Sequence, residues 1–438
     1  MLGDLRTPEE HDVDRILYST AFRRLAGVTQ VVAVDEVLLF HNRLTHTIKV
    51  AQLARRLAED LNREERNRQV LDNIGGVNIS SAEAAALAHD LGHPPFGHIA
   101  EEILCQRCDE AGADGFEGNA QSFRIVTKLA RRAGDAPGLG LTPRTLRAIL
   151  KYPWMRGPKP ATEDKTERLH HRKWGAYLSE QTELEEALGG DTSAQQSAEA
   201  AIMDWSDDIS YALHDLEDFF RADMIPLARV GSLTDNDEAM WFLARADHEL
   251  APNPRYTPDG GQAAFKKLRG YFPAGSYRGS HEDDQDLHTM TNKFITRYFD
   301  AVSLHSAHPL VRTNIAVQHE VMLLKQLTWQ YVVNGPALAT MQRGQTDVIN
   351  ELFTALDDWL KDEEKRGAEH RLPTRLRMCK AAMQEDHALL DSLPTPEARR
   401  ARVIADYLCC LTEDQTLDLY RRIKGHAATS ILEGWVRW

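Results

Sequence analysis

An all-α fold is the prediction from this sequence, and three observations carry it. Apolar residues recur three or four apart along most of the chain, the spacing of one buried helix face. Strand signals are weak, and at most a small hairpin is expected, at Gln30–Phe40. Nothing alternates strand with helix in the way that a doubly wound sheet requires.

The elements follow in order. Val13 to Leu25 carries apolar residues at helical spacing and stops before Gly27. Thr45 to Leu61 sets Ile48, Val50, Leu53, Ala54, Leu57 and Leu61 among charges, a helix buried on one side. Ser81 precedes an Ala-rich run to Asp90, where its hydroxyl can satisfy an orphan backbone N–H. Gly92 and Pro94-Pro95 break that helix, and another starts near Gly97 and runs through Leu104. Glu199 to Phe220 reads as one long helix. Two stretches are irregular: Gly157 to Glu163, and Ala251 to Asp284 with a short helix in its middle. Helices resume over Gln285–Asn334, Gln345–Glu364 and Pro396–Ile423. The expected organisation is a first unit over 1–250, an irregular connection over 251–284 and a C-terminal helical region over 285–438.

Composition narrows the function. The chain has 438 residues, 42% of them hydrophobic. That is enough for roughly two or three domain-sized units and argues against wholesale disorder. No run approaches the roughly 18 apolar residues of a membrane-spanning helix, so no membrane partner is expected. Met1 to Glu10 is polar and acidic, without the apolar core of a secretory signal, and a cytoplasmic location is expected. The formal charge, 52 − 66 = −14, disfavours nonspecific nucleic-acid or anionic-membrane binding. An anionic small substrate remains open, because a local Arg and Lys cluster can override the global field. Five Cys, an odd count without a signal peptide, read as reduced thiols. Cys105 and Cys108 form a CxxC with no second pair nearby to complete a zinc site. Gly138-Leu-Gly140 lacks the third Gly of a dinucleotide loop, and no Gly-x4-Gly-Lys-Ser/Thr occurs.

The histidines are unevenly used. The densest cluster is Ala88-His-Asp-Leu-Gly-His-Pro-Pro-Phe-Gly-His98. Imidazole and carboxylate are both good ligands for divalent metals, and the Gly-His-Pro-Pro turn returns further imidazoles to the same place. Upstream lies His41-Asn-Arg-Leu-Thr-His46, just before an amphipathic helix. Downstream, Asp207, Tyr211 and Asp215 are spaced by four and share one helix face. Ile209, Leu213 and Leu216 mark neighbouring buried positions, and burying acids there is costly unless they are paired or metal-bound.

The order His46, His89-Asp90, Asp207 resembles the HD-domain phosphohydrolases. Further blocks resemble bacterial deoxyguanosine triphosphate triphosphohydrolases: Ala21–Val31, Asn42–His46, His89–His98, Phe116–Ser122, Lys151-Tyr-Pro153, Asp207–Tyr211 and Leu411–Arg422. The resemblance implies an all-α HD-domain helical phosphohydrolase fold. It implies hydrolysis of a dNTP, dGTP favoured, to deoxynucleoside plus inorganic triphosphate. It assigns His46, His89, Asp90 and Asp207 to a divalent ion, Mg²⁺ or Mn²⁺ first, with Fe²⁺, Co²⁺ or Zn²⁺ as further candidates.

The same resemblance makes His98 the catalytic imidazole beside the scissile bond. Glu101, one turn on, could orient it. Arg43, His93, Lys151 and Tyr152 match substrate-contacting positions. Gln30 and Asp215 match groups that bond the 3′-OH, and Tyr211 an aromatic packed where a 2′-OH would sit. Asp208 is turned about 100° from Asp207 and is left out of the ligand set. Gly118 stands where many relatives carry His. A homo-oligomer, hexamer or tetramer, and a nucleotide or single-stranded DNA effector are implied. Two alternatives stay open: an HD phosphohydrolase acting on another nucleotide, and a non-catalytic nucleotide sensor.

Overall fold

The computed structural model describes residues 4–31, 41–132, 136–159, 165–232 and 237–426. Helices dominate from end to end, and the one sheet among the described residues has two antiparallel strands. The expected 30–40 hairpin falls mostly on residues 32–40, outside the described set.

Helix ends shift where side chains cap the backbone. The first helix, α1 (Pro8–Leu17), starts earlier than expected because Thr7 and Glu10 form a reciprocal capping box. It breaks after Leu17, and Ser19 accepts the Phe22 N–H to start α2 (Thr20–Arg24). Asn42 caps α3 (Arg43–Arg63), a helix of 21 residues. Asn78, not Ser81, caps α4 (Ile79–Ala88); its side chain accepts the Ser81 N–H, and Ser81 is buried inside the helix. Next come α5 (His98–Glu110) and α6 (Gly118–Arg124), the latter capped by Glu117. Ser197 caps α7 (Ala198–Arg221), 24 residues long.

The second half holds α8 (Asp237–Leu250), α9 (Pro258–Leu268) and α10 (His281–Asp300). A strand pair then interrupts the helix expected over 285–334: β1 (Val302–Leu304) against β2 (Val311–Thr313), with Ser303 opposite Arg312. Alternate burial of Val302 and Leu304, and a polar turn holding Pro309, account for it. The chain continues through α11 (Ile315–Thr328), α12 (Pro336–Arg366), α13 (Thr374–Glu385), α14 (Pro396–Leu408) and α15 (Glu413–Ile423). Among the described residues no helix is long and apolar enough to cross a membrane.

Two hydrophobic cores result. The larger includes the buried faces of α3, α4 and α7; the second joins α5 to α12–α15. The turn between α4 and α5 belongs to both: Leu91 packs in the first and Phe96 in the second. Polar ties reinforce that junction. Buried Arg24 donates to the carbonyls of Leu91 (2.9 Å), His93 (2.7 Å) and Leu411 (3.1 Å). Buried Arg124 on α6 pairs with Glu180 (2.7 Å) and with Asp406 on α14 (2.9 Å). His89, Asp90, His93 and His98 therefore sit on or beside a turn tied to both cores.

Candidate metal and phosphate site

Three helix segments converge on one point. His46 projects from the first turns of α3, His89 follows the end of α4, and Asp207 lies midway along α7. One ligand atom from each lies within 4.8 Å of the others. His46 Nε2 is 3.1 Å from Asp207 Oδ1, and His89 Nε2 is 3.6 Å from the same oxygen. The Ala86 carbonyl holds His89 Nδ1 at 2.7 Å, which leaves Nε2 facing the cluster. That buried Nε2 has no hydrogen-bond partner. An orphaned imidazole nitrogen facing a carboxylate and a second imidazole suits a divalent cation.

Asp90 is the fourth expected ligand, and its Oδ2 lies 3.5 Å from His89 Nε2. It also binds Arg43 (2.9 Å), and its other oxygen lies 3.0 Å from His93 Nδ1. Burial opposes the charged form of His89, but Asp90 and Asp207 outweigh it and raise the imidazole to about 9. A cation binding here would displace that proton.

His98 opens α5 and is largely exposed, while Glu101 one turn on is buried. Glu101 Oε2 binds His98 Nδ1 at 2.8 Å, which leaves the other ring nitrogen facing solvent. The other Glu101 oxygen accepts the Gly118 N–H at 2.9 Å. The His93 ring stands edge-on to His98 with centroids 5.8 Å apart. Gly118 borders this group; a Cβ there would lie 3.3 Å from His93 Cε1. The turn itself needs glycine at Gly92, where a Cβ would come within 2.2 Å of the Ser122 nitrogen.

Cations ring the cluster, each held by an acid. Lys151 Nζ binds Asp204 Oδ1 (2.6 Å) and lies 3.5 Å from Asp207 Oδ2. Burial opposes its charge, but Asp204 and Asp207 hold the ammonium well above its ordinary range. Tyr152, beside it, packs its ring 5.5 Å from Trp154, and burial raises its hydroxyl. Lys173 was not anticipated: it binds Glu117 Oε1 at 2.9 Å and lies 3.5 Å from Glu101 Oε1. Its sequence neighbourhood, His-His-Arg-Lys, looks like a solvated basic run, so nothing local marks it.

The α7 stripe extends away from the cluster. Tyr211 follows Asp207 by one turn, and burial raises its hydroxyl above the ordinary range. Asp215 follows by another turn; burial, then the Asp218 charge, hold its carboxyl well above the usual range. Its Oδ2 is buried without a partner, as is Gln30 Oε1. Gln30 follows Thr29, whose bridge to Asn42 sets it beside the start of α3. Lys325 on α11 also reaches this stripe, pairing with Asp208. Sequence reasoning missed it because α11 lies more than 100 residues downstream of α7.

The arrangement offers a cation site, an oriented imidazole beside it and several lysines and arginines for phosphate. Comparison with known proteins agrees in kind. The HD domain model matches residues 43–240, and the phosphohydrolase-associated domain model matches residues 311–422. A deoxyguanosinetriphosphate triphosphohydrolase-like protein of Corynebacterium efficiens is 32% identical, over 96% of this chain and 92% of its own. One from Streptomyces coelicolor is 32% identical over 96% and 93%. One from Caulobacter vibrioides is 41% identical over 51% and 49%. With near full-length similarity and a predominantly helical HD fold, the chain belongs to the family of deoxyguanosinetriphosphate triphosphohydrolase-like HD-domain proteins.

Proposed function

We propose that the protein hydrolyses 2′-deoxynucleoside triphosphates, dGTP among them, to deoxynucleoside and intact inorganic triphosphate. The observation that carries this is the His46–His89–Asp207 cluster, its orphaned His89 nitrogen flanked by the His98–Glu101 pair. The names of the relatives support the substrate class.

His46, His89, Asp90 and Asp207 hold the metal, Mg²⁺ or Mn²⁺ in this reading. A divalent ion there supplies polarisation of the α-phosphate and a more acidic water. Glu101 fixes His98 through Nδ1, so Nε2 is the nitrogen that moves a proton at the attacking water or the departing 5′-oxygen. Arg43 and Lys151, with Lys173 and His93, face the phosphates; binding substrate exchanges their carboxylate partners for phosphate oxygens. Tyr152 borders Lys151. Gln30 and Asp215 bond the 3′-OH. Burial favours the protonated form of Asp215, which can donate to that oxygen. Tyr211 walls the sugar. The working protein is a cytoplasmic homo-oligomer, a hexamer or tetramer, open to a nucleotide or single-stranded DNA effector.

The test incubates the protein with Mn²⁺ or Mg²⁺ and each dNTP, or GTP, and separates products by ion exchange. Deoxynucleoside plus triphosphate, lost in His46→Ala and Asp207→Ala, is the expected result. Release of diphosphate or single phosphate would assign the site to another nucleotide phosphohydrolase reaction. No turnover, alone or in dNTP mixtures, would favour a nucleotide sensor.

A further inference from the structure

The C-terminal half places one charge on the α7 face that bears Asp207, Tyr211 and Asp215. Lys325 forms an ion pair with Asp208 and holds its Nζ 5.4 Å from the centroid of the Tyr211 ring. Asp208 and Tyr211 are three residues apart on α7, so they are surface neighbours on the helix. The ammonium therefore spans a fixed carboxylate and an aromatic face, and its attraction to the ring is directional. Among the described residues the Tyr211 hydroxyl has no hydrogen-bond partner. Lys325 also lies close enough to Asp215 to favour its ionised form.

We propose that Lys325 is a positioning residue for Tyr211: it fixes the ring plane against which a 2′-deoxyribose packs, and so sharpens rejection of ribonucleotides. This rests on the dNTP reading above. Rejecting a substrate that merely adds a hydroxyl depends on sterics, and a wall that can pivot rejects weakly. A tyrosine ring turns about two side-chain bonds. One held by a cation, itself pinned by Asp208, yields less. Selectivity would then depend on α11, within the phosphohydrolase-associated region and outside the HD domain match.

The competing view is that Lys325–Asp208 is an ordinary surface pair. Its side chains are 32% and 37% exposed, and pairs of that kind contribute little to stability. The two views differ in what they move. A surface pair leaves substrate discrimination alone, whereas a positioning residue changes it without changing metal binding.

The experiment measures kcat/KM for dGTP and GTP in the full-length wild type, Lys325→Met and Lys325→Arg. Calorimetry with non-hydrolysable dGTP and GTP analogues gives the same preference without turnover. Lys325→Met is expected to lower the dGTP-over-GTP preference about tenfold, mainly through a lower KM for GTP. Mn²⁺ affinity and melting temperature should stay unchanged, and Lys325→Arg should restore most of the preference. Should Lys325→Met fail to fold, Asp208→Asn unpins the lysine and is expected to shift the preference in the same direction. An active wild type whose preference is unchanged in the folded variant would overturn the proposal. A wild type that hydrolyses no dNTP would overturn the dNTP reading, and this inference with it.

Discussion

Glu413 accepts the backbone N–H of Phe96 at 3.0 Å, across 317 residues of chain. The same carboxylate takes the Thr29 N–H at 2.9 Å and its hydroxyl at 2.5 Å. Phe96 needs this support: its φ of 68° lies in a region that side-chain-bearing residues avoid. Two residues later the chain presents His98. Helix α15 thus braces the turn that aims the proposed catalytic imidazole, and it braces the segment leading to Gln30.

Glu413→Ala should therefore cost stability and activity together. A carboxylate hydrogen-bonded to backbone is worth about 1.5–3 kcal/mol. Urea denaturation should show a loss of that size, and the remaining folded protein should turn over more slowly. Wild-type values for both would show that the brace is dispensable.

The cluster and the imidazole should separate in metal titrations. His46→Ala and Asp207→Ala are expected to lose Mn²⁺ binding by calorimetry and activity with it. His98→Ala should bind Mn²⁺ normally while kcat falls about 10²–10⁴-fold. Glu101→Gln should fall less, because the imidazole remains and only its orientation loosens. Equal loss of metal affinity in His98→Ala would move that residue into the ligand set.

Asp406→Ala should be among the most damaging single changes. It leaves buried Arg124 with Glu180 alone and strips the partner of Gln121 at 2.9 Å. Hydrogen bonds to a buried charged group are worth about 1.5–3 kcal/mol, and a loss of at least that size should be readable as a shift in the urea midpoint. The Asp406 side chain bonds Gln121 and Arg124 and none of the proposed metal ligands, so Mn²⁺ affinity of the folded fraction should be retained.

The thiols should differ sharply in reactivity. The Cys379 thiol bonds the Cys410 sulfur and, with Arg375, holds its pKa below the ordinary value despite burial. Burial pushes Cys108 up to about 12 and Cys409 well above its ordinary range. At neutral pH, iodoacetamide should label Cys410 first, with a midpoint below the usual value of about 8.5. A depressed folded pKa stabilises the fold above the unfolded value, and that contribution is lost as pH falls through the folded one. Serine at Cys410 should remove this part of the pH dependence. Uniform labelling of the five thiols would contradict the arrangement.

Much of this was legible in the sequence, for identifiable reasons. The α3 and α7 cores announce themselves through apolar spacing, the His-Asp doublet through the local density of histidines, and the Asp207–Tyr211–Asp215 stripe through spacing of four. Legibility ended where the partner lies far along the chain. Lys173 and Lys325 owe their places to Glu117 and Asp208, which no local pattern connects to them. The Asn78 cap was overlooked because Ser81 sits before an equally plausible helical run, and only the folded backbone shows which side chain reaches the free N–H. The strand pair at 302–313 was hidden because two three-residue strands are too short to register against helical surroundings.

Each lysine or arginine placed toward the phosphates carries its own counter-ion: Arg43 has Asp90, Lys151 has Asp204 and Lys173 has Glu117. The pocket then works like an ion-exchange resin in its resting salt form. A monovalent anion must displace one bound carboxylate for each new contact and gains almost nothing. A chain of phosphates displaces several at once, and its charges arrive already linked. In the proposed reading the site therefore ignores abundant simple anions while gripping a polyphosphate. By the same logic, inorganic triphosphate, the product of the proposed reaction, should compete tightly for the site.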